Sequence, residues 1–198
     1  MTRVPESIAG YAYGKLDVAA SPVTVEDLER LKETVGFTSE DERYLRLAGG
    51  VLSGQTRAIV LLWRSQIIAH IPHLARHSRA LDGSPLPDYL AASNLRFEQW
   101  ILDTCLRAYD RPWLDYQHEI ALRHTIAKKN RADGAPSTPF VPLRDIIAFV
   151  AVLNDTIRPY LAAREHSPAD VEGMHRAWCR SVQLQLALWT GAYPKDEW

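Results

Sequence analysis

Trp113-Leu114-Asp115-Tyr116-Gln117-His118-Glu119-Ile120-Ala121-Leu122-Arg123-His124 is the stretch on which the reading of this chain turns. It follows Pro112, and proline is favoured at a helix start. In helical spacing, Trp113, Gln117, Ile120, His124 and then Ala127 share one stripe. An imidazole therefore points from a mostly apolar face into the core. A buried imidazole needs partners for its ring nitrogens. In an all-helical chain of this size the iron of a haem is one candidate partner. A hydrogen-bonded structural histidine is the other, and periodicity alone favours it.

The rest of the chain reads as helix too. Thr24 before Val25-Glu26-Asp27-Leu28 is an N-cap with acids in the first turn, and Gly36 stops that helix. Ser39 with Glu42 reads as a capping box for the next, which weakens at Gly49-Gly50. A longer apolar helix covers about 51–70, ended or kinked by Pro72. Further helices run from about 87 to 107, through the quoted stretch, through Ile146 to Leu153 with Pro159 in the second half, and from Ser167-Pro168 to Trp189. Lys128, Lys129 and Arg131 suit the negative end of the quoted helix as a solvated terminus; a phosphate-binding patch is the alternative. Residues 132–142 form a loop. Strand-like alternation is nearly absent, so the expected class is all-α, with seven or eight helices.

Its 198 residues suffice for one domain, 1–198, whose residues 1–23 form an irregular N-terminal arm. A net charge of -1 gives no global field for nucleic acid or membrane. Cys105 and Cys179 are far apart and suggest neither a zinc site nor a disulfide framework. No signal peptide or membrane span is read, so a cytoplasmic protein is expected. Pro72 interrupts His70, His73 and His77 with no acid or cysteine to complete a set, which argues against a metal site there. His118 cannot share the face of His124, and His166 and His175 read as surface or packing residues. No hydrolase or nucleotide-enzyme motif is present.

Several segments in order resemble the protoglobins, single-domain haem globins related to the sensor domains of globin-coupled sensors. They include Gly10-Tyr11-Ala12-Tyr13-Gly14, Phe37-Thr38-Ser39-Glu40-Asp41-Glu42, Trp100-Ile101-Leu102-Asp103-Thr104, Trp113-Leu114-Asp115-Tyr116-Gln117 and Leu122-Arg123-His124 followed by Lys128-Lys129-Asn130. Val141-Pro142-Leu143-Arg144, Ala148-Phe149, Ala177-Trp178 and Leu186-Ala187-Leu188-Trp189 agree as well. The resemblance spans about Ile8 to Trp198. It implies a globin-like fold with an extra N-terminal helix and an arm that helps enclose haem b. The proximal iron ligand falls on His124. Tyr13 and Arg96 match positions near the haem propionates, where an arginine fork suits a carboxylate. The distal wall falls on Trp63, Arg64, Ser93 and Phe97, with Phe149 also against the haem.

The match weakens on that distal wall. Arg64 stands where the family usually has tyrosine, and Ser93 where an apolar residue is common. The stretch from Trp63 to Pro72 is one residue longer than the family pattern, which rotates a helix by about 100°. It must be absorbed near Ser65 to Ile71, as a bulge; absorbed earlier, it lets Arg64 take the tryptophan's place. Arg64 then either enters the pocket as a cationic donor or turns to solvent. Burying an unpaired guanidinium is costly, so the outward orientation is expected.

The expected function is reversible binding of diatomic gases (O2, CO, NO) at a histidine-ligated haem iron, in gas binding or sensing. An enzyme doing peroxide or nitrogen-oxide chemistry at the same haem is the second reading, and a non-haem helical interaction module the third. The resemblance implies a homodimer through the last two long helices. With no extension after Trp198, any signal output is expected to need a separate signalling or redox partner.

Overall fold

Thr24 opens the first helix: its hydroxyl accepts from the Asp27 amide, the Asp27 carboxylate accepts from the Thr24 amide, and α1 runs Val25–Val35. Gly36 ends it at φ 67°, the left-handed region where a side chain would be strained. This computed structural model describes residues 8–198. Residues 1–7 of the expected arm lie outside the described residues. α2 (Ser39–Leu52) starts from a capping box of Thr38 and Asp41, one residue earlier than Ser39 and Glu42 suggest. Asp41 decides the shift, because it is buried and also receives Arg180 at 3.0 Å. α2 also continues through Gly49-Gly50, where a break is read in the sequence. A side chain at 49 would collide with Leu106 and Cys105 of the packed neighbour, so glycine is a contact here and not a stop.

The helix expected over 51–70 is divided. α3 (Thr56–Leu61) passes into a π-helical segment, Leu62–Ile67, and then a single 3-10 turn, Ile68–His70. The bulge expected near Ser65 to Ile71 thus lies earlier, at Leu62–Ile67, and takes in Trp63 and Arg64 themselves. Pro72 begins the short α4 (Pro72–Ala75). α5 (Pro87–Leu106), α6 (Arg111–Leu122), α7 (Leu143–Leu161) and α8 (Pro168–Thr190) complete the fold. α7 carries Pro159 inside its last turn. Among the described residues there is no strand, only two isolated bridges, Arg79 with Pro85 and Ala80 with Ser137. No helix among them is long and apolar enough to cross a membrane.

α8 is the central element, packed by α1, α2, α5, α6 and α7. Its Met174, Ala177, Trp178 and Leu184 are fully buried, as are Trp63 and Trp113 elsewhere in the core. Several polar groups on these buried faces are matched, although the Trp113 and Trp178 indole N–H groups find no partner among the described residues. Trp100 Nε1 donates to Gln185 Oε1 at 2.7 Å, and Gln185 Nε2 donates to Thr104 and Ser181. Trp189 Nε1 donates to Gln117 at 2.9 Å, joining α8 to α6. The apolar side of α8 therefore serves as core. Of the large apolar side chains exposed among the described residues, only Ile147 lies on α7 or α8.

Candidate functional site

A cavity of 250 Å³ lies between α5, α6, α7, α8 and the π-helical segment. Phe97, Trp100, Ile120, Ile146, Phe149, Val150, Leu186 and Trp189 give it an apolar wall. His124 and Arg64 both face into it.

His124 is not inside α6, as its stripe suggests, but in the turn after it. α6 stops at Leu122, and the His124 amide bonds back three residues, to the Ala121 carbonyl at 2.9 Å. That tightening releases the Ile120 carbonyl from the helix ladder. His124 Nδ1 lies 2.9 Å from it. A carbonyl only accepts, so Nδ1 carries the hydrogen and Nε2 keeps its lone pair. Burial depresses the pKa of the ring to about 4, so it is neutral at pH 7. Trp189 stacks against it at 5.8 Å. The result is an oriented neutral imidazole with one nitrogen free for a metal.

The turn around His124 is held by charge. Glu119 is buried and accepts from Arg123 Nε at 2.8 Å and Lys128 Nζ at 2.5 Å. The Val141 amide donates to the His124 carbonyl at 2.8 Å and closes the following loop. Lys129 is not a solvated helix-end charge. It is buried, donates to the Thr138 carbonyl at 2.8 Å, and lines the cavity. Burial, with Arg64 adding to it, brings its pKa down to about 8. Asn130 next to it takes φ 70° and clamps the Ser137 and Thr138 carbonyls.

Arg64 overturns the outward expectation. Its guanidinium turns inward, donating to Ser93 Oγ at 2.9 Å and Ser78 Oγ at 3.3 Å, and lies 5.3 Å from the centre of the Phe97 ring. Desolvation lowers its pKa from the usual arginine value. Trp63, expected in the distal wall, sits behind that wall. It is fully buried, packs on Phe97 at 5.0 Å and donates to Thr156 Oγ1 at 2.8 Å, outside the cavity lining. The physical reason is the π-helical turn, which moves Trp63 out of register and brings Arg64 in. Ser93, Phe97 and Phe149 do reach the cavity.

The other end is also rearranged. Arg96 lines the cavity, but its fork is engaged by Asp133 at 2.6 and 3.0 Å and by the Ala9 carbonyl. Gly10, at φ 73°, allows that approach: a Cβ there would meet Arg96 Nη1. Tyr13 does not reach the cavity. Tyr116 stands between, 5.3 Å away edge to face, and Arg107 covers Tyr13 at 4.2 Å. Polar lining residues that sequence reasoning did not place in this site include His77, Tyr89, Tyr116, Arg123, Lys129 and Asp145. His77 lies beside Thr138 Oγ1 at 2.7 Å, and burial lowers its pKa to about 4. No periodicity marks it, because it comes from a single turn after α4. Among the described residues no group of three His, Cys, Asp or Glu side chains could hold a metal ion.

The residues present fit haem. A neutral imidazole can bind iron, the apolar wall suits a porphyrin, and Lys129, which no carboxylate among the described residues pairs with, offers a cation at the cavity to a carboxylate. The family model described as Protoglobin matches residues 24–198. No curated protein matches the chain.

Proposed function

Since the chain belongs to the protoglobin family, a family of all-α haem globins, we propose that it binds haem b through His124 and reversibly takes O2, CO or NO, in gas binding or sensing. The observation that carries the reading is His124 itself: neutral, oriented by the Ile120 carbonyl, and facing an apolar cavity. When bound, haem supplies an iron whose remaining coordination position accepts a diatomic gas. The protein orients the ligand imidazole, excludes bulk water with Phe97 and Phe149, and places Arg64 and Ser93 as polar groups on the ligand side. Residues 1–198 act in this reading as one domain, with Arg96 at the haem-carboxylate end.

Absorption spectra test it. Wild type should show a Soret band that shifts when the reduced protein takes CO, and His124→Ala should lose or alter it. His77→Ala, the other cavity histidine, should leave it in place. No band after haem reconstitution would leave a helical interaction module. Loss of the band in His77→Ala with retention in His124→Ala would move the ligand to His77.

A second reading, peroxide or nitrogen-oxide chemistry at the same haem, draws on the inward Arg64, since a fixed cation stabilises developing negative charge. Steady turnover of peroxide or nitrite that disappears in Arg64→Ala would support it. Pairing of two chains through α7 and α8 is also proposed. Ile147, 47% exposed, is the apolar residue those helices offer it. One such residue is a thin contact, so the expected association is weak and concentration-dependent in sedimentation, and is abolished by Ile147→Asp.

A further inference from the structure

Arg64 brings a positive charge into the cavity that no carboxylate among the described residues answers. Its two Nη atoms donate to neutral hydroxyls, those of Ser78 and Ser93. Its Nε is buried and has no hydrogen-bond partner among the described residues. The other two arginines of the cavity are treated differently: Arg96 is paired with Asp133 at 2.6 Å and Arg123 with Glu119 at 2.8 Å. Of the cavity's lining residues the only carboxylate is Asp145, and it faces His77 at 3.9 Å. A desolvated guanidinium left in this state is costly, and a counter-charge that comes and goes would offset it. The two serines fix the fork by its Nη ends, which leaves the Nε–H free to donate.

Arg64 also borders a second cavity. A second pocket, 100 Å³, shares Arg64, Ile68 and Ser78 with the main cavity. Its other side is walled by Ala69, Arg79 and Pro85, all exposed. Arg79 adds a positive charge along that approach.

We infer that Arg64 is the specificity-determining residue of the ligand side and selects small monovalent inorganic anions, of the size of fluoride, azide or nitrite, for the ferric protein. This rests on the haem reading above. Bound CO carries little charge and gains little from a fixed cation, whereas an anion gains a charge-assisted hydrogen bond, the stronger kind. The rival use for the same cation is to hold a carboxylate of the haem.

Fluoride separates these uses, because it is a small anion with a strong demand for hydrogen-bond donors. Wild type, Arg64→Leu and Arg64→Gln are reconstituted with ferric haem and titrated with sodium fluoride at constant pH and ionic strength, following the Soret band. CO affinity of the reduced proteins and the rate of haem transfer to an acceptor apoprotein are measured alongside. Fluoride affinity should fall by about 10- to 100-fold in Arg64→Leu, the range of one charged hydrogen bond. It should fall less in Arg64→Gln, which keeps a donor without the charge, and in both the fall should exceed any change in CO affinity. Equal fluoride affinity in all three proteins overturns the inference and leaves the haem reading standing. Faster haem loss in Arg64→Leu with fluoride affinity unchanged overturns it too, and assigns Arg64 to a haem carboxylate. A wild type that takes up no haem overturns both. If Arg64→Leu does not fold, the comparison of wild type with Arg64→Gln decides alone, by whether fluoride affinity falls.

Discussion

Beside His124, charge is answered by charge: one buried carboxylate, Glu119, takes both Arg123 and Lys128, and the ligand ring is fixed by a carbonyl of the preceding helix. On the Arg64 side a π-helical turn presents a cation to two hydroxyls and leaves its Nε without a partner. The two sides line one cavity, but Arg123 and Lys128 beside His124 are answered by a carboxylate of the protein and Arg64 is not. A satisfied group can be preorganised at no further cost, which suits a permanent ligand to a cofactor. An unsatisfied one gains only when something binds, which suits the side where exchangeable ligands arrive.

The contrast can be broken most sharply at His124. His124→Ala should abolish histidine-type haem spectra outright, while substitutions on the Arg64 side leave the Soret band in place. The next effect is on stability. Glu119→Ala should destabilise the haem-free protein by about 2 kcal/mol in urea unfolding, below the figure for a fully buried pair because the Arg123 and Lys128 side chains are 22% and 30% exposed and can turn to water. Arg64→Leu should do the opposite, raising haem-free stability by about 1 kcal/mol, because it removes a desolvated cation with an orphaned donor. A fall in stability on Arg64→Leu would show that the two sides are satisfied alike.

The smallest effect is a pH slope. Burial first, with Lys129 and Arg76 nearby, lowers the pKa of His77 from 6.5 to about 4. Between those values the unfolded chain binds more protons than the folded one, so stability rises with pH across the window and is lost as pH falls from 6.5 towards 4. His77→Gln should flatten part of that slope in acid unfolding of the haem-free protein. An unchanged slope would mean that His77 titrates freely.

Much of this was open to inspection in the sequence. The 3.6-residue periodicity, the Thr24 and Ser167 caps, Pro168 at a helix start and Gly36 at a helix end are local signals, and the helices they mark begin and end close to where they point. His124 was legible because it continues the stripe of Trp113, Gln117 and Ile120 and lies in a segment shared with a family. His77 and Lys129 were not legible as cavity residues. Each comes from a short irregular segment, and neither has a periodic face to show which way it points.

The same boundary runs through the distal side. The resemblance to the family implies one residue too many between Trp63 and Pro72; the sequence by itself determined that the chain is helical and that one histidine belongs to an apolar stripe. Those are consequences of local spacing and of the backbone's own hydrogen-bond pattern. Only the tertiary structure decided that the helix widens to a π-helical turn at Leu62–Ile67, that Trp63 goes to Thr156, and that Arg64 meets Ser78 and Ser93. A helix can take up one residue at several places at similar local cost. The choice is made by which side chains find partners on α5, α7 and the turn after α4, and those partners are distant in the chain.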